Sequence, residues 1–119
     1  EKMRIDYMKN FLLASSFVLF AVIGQAEASA VKGNAVAGKQ KAAACAACHG
    51  ADGNKTLDNT YPKLAGQYPD YLLKALKDYK SGKRSNAIMA GQVQSLSEAD
   101  MANLAVYFSS LPGQMSIVH

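Results

Sequence analysis

Tryptophan is absent, cysteine and histidine occur twice each, and acids are few: nine against 13 lysines and arginines. Each shortage removes a class of function. A zinc site needs four ligands, and beyond Cys45, Cys48 and His49 only His119, at the far end of the chain, remains. No stretch alternates as a strand, so a thioredoxin-like redox pair lacks the βαβ setting it needs. There is no aromatic-interleaved basic stripe, and a formal net charge of +4 is too weak and too dispersed to argue for nucleic acid. The uncharged run from Phe11 to Ile23 falls short of the roughly 20 residues a spanning helix needs. Internal repeats and low-complexity tracts are also missing, apart from an alanine-rich stretch before Cys45.

The short apolar run has its own use. Met8 and Lys9 precede it, and Ala28-Ser29-Ala30 follows it. A positive start, a brief apolar middle and small residues at an A-x-A exit read as a secretory signal. Residues 1–30 are therefore expected to be a signal peptide with upstream residues, cleaved after Ala30. The other option is an uncleaved membrane anchor. Residues 1–7 read as lying ahead of a start at Met8, with Met3 the alternative. The remaining domain, 31–119, is small enough for its own core to leave it marginal.

Three helical patterns occupy that domain. Residues 34–44 are helical by propensity, rich in alanine and lysine. Pro69 suits a first turn and Gly82 a stop, and between them Leu72, Ala75, Leu76 and Tyr79 continue a face begun by Tyr68. Ser97 and Asp100 form a near capping box, before a stripe of Met101, Leu104, Ala105, Phe108 and Leu111 that Pro112-Gly113 ends. The segments 50–67 and 83–96 show no periodicity and are expected as long loops. Loops that long in a small domain need something to wrap.

Cys45-Ala46-Ala47-Cys48-His49 supplies the candidate. In C-x-x-C-H the two thiols attach to haem vinyl groups and the adjacent histidine reaches the iron. A structural disulfide would leave His49 without a purpose. The second axial ligand should come from far along the chain. Met101 belongs to the last helical stripe, Met115 lies beyond the helix stop, and Met3 precedes the start at Met8. Met89 sits where no periodic face claims it, and gap-filling is its alternative use.

The chain resembles the bacterial class I cytochromes c of the single-haem cytochrome c4/c-553 type. The likeness rests on Cys45 to Gly50, Asp52-Gly53-Asn54, Tyr61 to Gln67, Tyr71-Leu72 and Met89. It continues through Leu96-Ser97, Asp100, Leu104-Ala105, Tyr107 and Leu111. It departs from cytochrome c4 proper in holding one C-x-x-C-H rather than two tandem domains. The resemblance implies an all-α fold, three main helices plus long loops around one covalent haem c with its iron. It further implies that the Pro62 carbonyl binds the other ring nitrogen of His49. Gly38 would sit where the first and last helices cross, near Tyr107 or Phe108, and Asn86 and Gln92 would support the Met89 segment.

With both axial positions filled, the iron offers no place for a substrate, which favours outer-sphere electron transfer over an enzyme. The expected setting is the periplasm, shuttling electrons between redox proteins with acidic docking surfaces. Membrane contact would come through partners alone, unless the N-terminus is uncleaved. Lys80, Lys83 and Arg84 could steer such partners or simply solvate a helix end. Two alternatives stay open: a haem subunit of a larger membrane complex, and a five-coordinate haem enzyme or sensor.

Overall fold

Asn34 begins the ordered architecture by closing a helix end with its side chain. In the computed structural model, which describes residues 30–114, its Oδ1 accepts from the backbone N–H groups of Val36 and Ala37 at 2.9 and 3.0 Å. The helix so started, α1, runs over Ala35–Lys41. It does not continue smoothly towards the cysteines. The Ala42 N–H reaches Lys39 O at 3.2 Å, a 3₁₀ turn that offsets a second helix, α2, Ala43–His49. The C-x-x-C-H run is thus the body of α2, with Gly50 at φ 85° ending it.

Helix α3 spans Pro69–Ser81, with Pro69 in the first turn and Gly82 left-handed at its end. Its expected apolar face holds from Leu72 through Tyr79, but Tyr68 is the N-cap residue and 66% exposed, so it belongs to solvent instead. Helix α5, Glu98–Ser110, starts with the full capping box. Ser97 Oγ accepts from Asp100 N–H, and Asp100 Oδ2 accepts from Ser97 N–H, both at 3.0 Å. The Ser97 backbone N–H, followed by the Ser97 hydroxyl, holds the Asp100 carboxyl below its ordinary pKa, and Lys41 at 3.4 Å adds to the effect.

The segment expected as loop over 83–96 contains a further helix, α4, Ala87–Val93. Two turns are too short to show a period, so tertiary packing, not pattern, decides it. Val93 is its fully buried anchor. The described residues thus hold five helices and no strand, and none of these helices is long and apolar enough to cross a membrane. The expected signal segment, Met115 and His119 lie outside the described residues.

Helices α1 and α5 pack most closely, α3 lies against α5, and α4 touches α3. Gly38 makes the first contact possible. A Cβ there would strike the backbone carbonyl of Asn103 and lie 2.7 Å from Tyr107 Cβ. Only glycine lets the backbones come that close. Met101, Leu104, Ala105 and Phe108 of α5 are buried, with Ala42 and Leu72 against the same core. Leu111, expected on that stripe, caps the helix and is half-buried.

Candidate functional site

The same core opens into a cavity of about 580 Å³, within the roughly 300–1,000 Å³ typical of ligand sites. Its floor is apolar, formed by Leu72, Ala75 and Leu76 from α3 and by Leu104, Ala105 and Phe108 from α5. Cys45, Cys48 and His49 line it from α2, and Met89 lines it from α4. Residues read separately from the sequence therefore share one space.

Helix geometry accounts for the first three. Cys45 and Cys48 are three apart, so they share one face of α2, and His49 is its last residue. Both cysteines are free and half-buried. Burial pushes the Cys45 thiol above its ordinary pKa, which keeps it protonated. His49 is the one buried polar side chain among the described residues, at 6% exposure. Its Nδ1 lies 2.8 Å from the carbonyl oxygen of Pro62. A carbonyl can only accept, so Nδ1 carries the proton and Nε2 keeps its lone pair. The Tyr61 ring stands edge-on to the imidazole, 6.1 Å between centroids, and restricts its rotation.

The loop that brings Pro62 to His49 is pinned along its length. Asp52 Oδ1 accepts from the N–H groups of Asn54 and Lys55, at 2.9 and 2.8 Å. Gly53 O accepts from Leu64 and Ala65 N–H, and Asn54 Nδ2 donates to Pro112 O at 2.8 Å. The Asp-Gly-Asn run noted in the sequence thus ties the loop to itself and to the chain beyond α5.

Met89 is positioned differently. Asn86 caps α4, its Oδ1 accepting from Met89 N–H itself at 2.9 Å, so the residue expected to support Met89 does so through the backbone. Gln92 lines the cavity one turn on. Met101 is 2% exposed in the core, as its place on the stripe suggested. Sequence reading assigned no place at the cavity to Arg84, Tyr79, Ile88 or Thr60, all of which line it. Tyr79 carried a signal, its place on the α3 face. Arg84 and Thr60 lie in irregular chain, and Ile88 in a helix too short to show a period, so spacing says nothing about their direction.

Residues 33–112 match the family of cytochrome c. The chain belongs to the cytochrome c family. Cytochrome c4 of Pseudomonas aeruginosa is 48% identical over 101 residues, covering 85% of this chain and 48% of that protein. Cytochrome c-554(548) of Halomonas halodenitrificans is 43% identical over 81 residues, covering 66% of this chain and 96% of that protein. Among solved structures, reduced recombinant cytochrome c4 from Pseudomonas stutzeri superimposes with a TM-score of 0.65 at 44% identity. It covers 69% of this chain and 47% of that one. The chain spans about half the length of the cytochromes c4 it matches.

Cytochromes c carry covalently bound haem c with its iron, and this chain is one of them. The cavity fits that group. Its walls are mainly apolar, as a porphyrin requires, and they bring two thiols, an imidazole with an available lone pair and a thioether to one space.

Proposed function

We propose that this cytochrome is an exported one-haem electron carrier, with Cys45 and Cys48 holding the haem and His49 and Met89 as axial ligands. What supports this most is that the single cavity lined by the C-x-x-C-H residues is also lined by Met89, from a separate helix. Bound there, the haem supplies a one-electron Fe(II)/Fe(III) couple. Cys45 and Cys48 would hold the group through thioether bonds. Pro62 fixes the His49 ring and makes Nε2 a stronger donor. Met89 would supply a soft thioether sulfur to the iron, a donor that favours the ferrous state and so a higher potential.

The chain's remaining task is to move little when the iron changes charge. Helix packing at Gly38, the pinned 52–65 loop and the buried His49 serve it. Export accounts for residues 1–30 as a signal cleaved after Ala30, placing the carrier in the periplasm among redox proteins. Their acidic docking surfaces would complement the net positive charge. Lys74 and Lys77 are already paired with Asp78 and Glu98, Lys80 donates to Leu96 O and Arg84 to the Tyr71 hydroxyl, so Lys83 is the better candidate for steering.

Protein matured with a haem-ligation system should give a pyridine-haemochrome spectrum for two thioethers and an intact mass starting near Val31 with one haem. Met89→Ala should keep the haem, lower the potential and open the ferric iron to exogenous ligands. A colourless product with both thiols alkylatable would sink the reading. An unchanged spectrum in Met89→Ala would remove Met89 as ligand.

A further inference from the structure

The charges around the cavity are one-sided. Two of its lining residues, Lys63 and Arg84, are cations, and none is an Asp or Glu. A haem brings two carboxylates on one edge, so the lining is complementary to a group that is anionic there. The two cations are not equivalent. Lys63 Nζ donates to Gln114 Oε1 at 3.0 Å, on the segment beyond α5. Arg84 is held at the cavity itself. Its guanidinium carbon lies 4.9 Å from the centre of the Tyr79 ring, and one Nη1–H donates to the Tyr71 hydroxyl at 3.4 Å. Its backbone N–H donates to Asp78 O at 3.1 Å, which sets the residue just past the end of α3. Tyr71 and Tyr79 also line the cavity.

We infer that Arg84 is the positioning cation for a haem carboxylate, stacked in advance on Tyr79 and aligned by Tyr71. This rests on the haem seat proposed above. The reasoning is one of preorganisation. A guanidinium is planar and always charged, and it presents a fork that matches a carboxylate. Stacking on an aromatic face and one hydrogen bond fix the plane while leaving other N–H donors for an anion. The hydroxyl of Tyr71 raises the guanidinium's pKa further, so its charge does not vary. No acid in the lining competes for the fork. Asp78, an acid within electrostatic reach of Arg84, is engaged by Lys74. The other titratable side chains facing the cavity are His49, Tyr61, Tyr71, Tyr79 and Lys63 with the two cysteines, and none is a carboxylate.

The consequence is electrical. A carboxylate next to Arg84 stays ionised to low pH, so the charge near the iron is constant and the potential is flat across the neutral range. Without Arg84 the carboxylate takes up a proton more readily, and more so when the iron is ferrous. The potential then falls as pH rises through that ionisation.

The test is the midpoint potential of the holoprotein as a function of pH, for wild type, Arg84→Gln, Arg84→Lys and Lys63→Gln. Arg84→Gln should keep the haem and its axial ligation spectrum, yet move the pH-dependent region up by about 1–3 pH units. Arg84→Lys should move it less, because the charge survives and the fork does not. Lys63→Gln should move it less than Arg84→Gln. If Arg84→Gln overlays wild type with its spectrum unchanged, or if Lys63→Gln carries the larger shift, the inference is overturned. If Arg84→Gln does not mature, Arg84→Lys is judged by the same displacement. Wild-type protein that attaches no haem would overturn the parent reading, a result visible before any titration.

Discussion

His49 and Met89 reach the same cavity from two differently built sides. On the histidine side, His49 is buried, its ring is held by Pro62 and flanked by Tyr61, and the loop behind it is tied to the chain beyond α5. That side also contains the Gly38 crossing of α1 and α5. On the methionine side, every residue from Ser81 to Ile88 is exposed, and α4 is two turns long. Its hold includes the Asn86 cap, the buried Val93, the Arg84 N–H bond to Asp78 and side-chain contacts of exposed cations, Lys80 to Leu96 O and Arg84 to Tyr71. Local opening is least costly where few apolar contacts are buried and backbone hydrogen bonds face water. The methionine side should therefore loosen first, while the histidine side unfolds only with the whole domain.

Substitutions can break or sharpen this contrast. Leu104→Ala, in the core beneath the cavity, should lower stability by about 2–5 kcal/mol in denaturant titrations, with both sides lost together. Gly38→Ala should cost about 1–3 kcal/mol, because the added carbon meets backbone that cannot swing aside. Asn86→Ala should cost about 1 kcal/mol, the value of a helix cap, and should act locally. The ferric ligation proposed for Met89 would then be lost at lower denaturant than helicity. If Asn86→Ala instead destabilised the whole domain as much as Leu104→Ala, the two-sided picture would fail.

The smallest effect concerns acid. The Asp52 and Asp100 carboxyls have pKa values lowered by backbone hydrogen bonds, from Lys55 and Asn54 for the first and from Ser97 for the second. Their stabilisation is present above the unfolded carboxylate pKa of about 3.9 and is lost as pH falls through the lower folded values. Both belong to the histidine side. Asp100→Asn should thus flatten the acid limb of its thermal stability slightly, leaving stability near pH 7 to report the lost capping box.

Much of the histidine side was legible from residues alone. The C-x-x-C-H spacing, the Ser97–Asp100 box and the Leu104-to-Phe108 stripe carry local signals that hold in any context. Met89 was singled out because no periodic face claimed it, and it lines the cavity. Helix α4 was missed, since seven residues cannot show a 3.6-residue period and Asn86 serves equally well in a loop. Tyr68 was misplaced because periodicity does not reveal where a face runs out into solvent. Arg84 read as a possible surface charge because its direction depends on Tyr79 and Tyr71, on a different segment.

Local chemistry along the chain determined which atoms could hold a haem and which helices could form, because thiol spacing, caps and apolar periods act over a few residues. Only the tertiary structure decided that the Met89 thioether, the Pro62 carbonyl and the Arg84 guanidinium meet around one cavity. Those meetings depend on how closely α1 and α5 approach and on where α3 ends. Distances between segments far apart in the chain are set by packing, and no run of neighbouring residues encodes them.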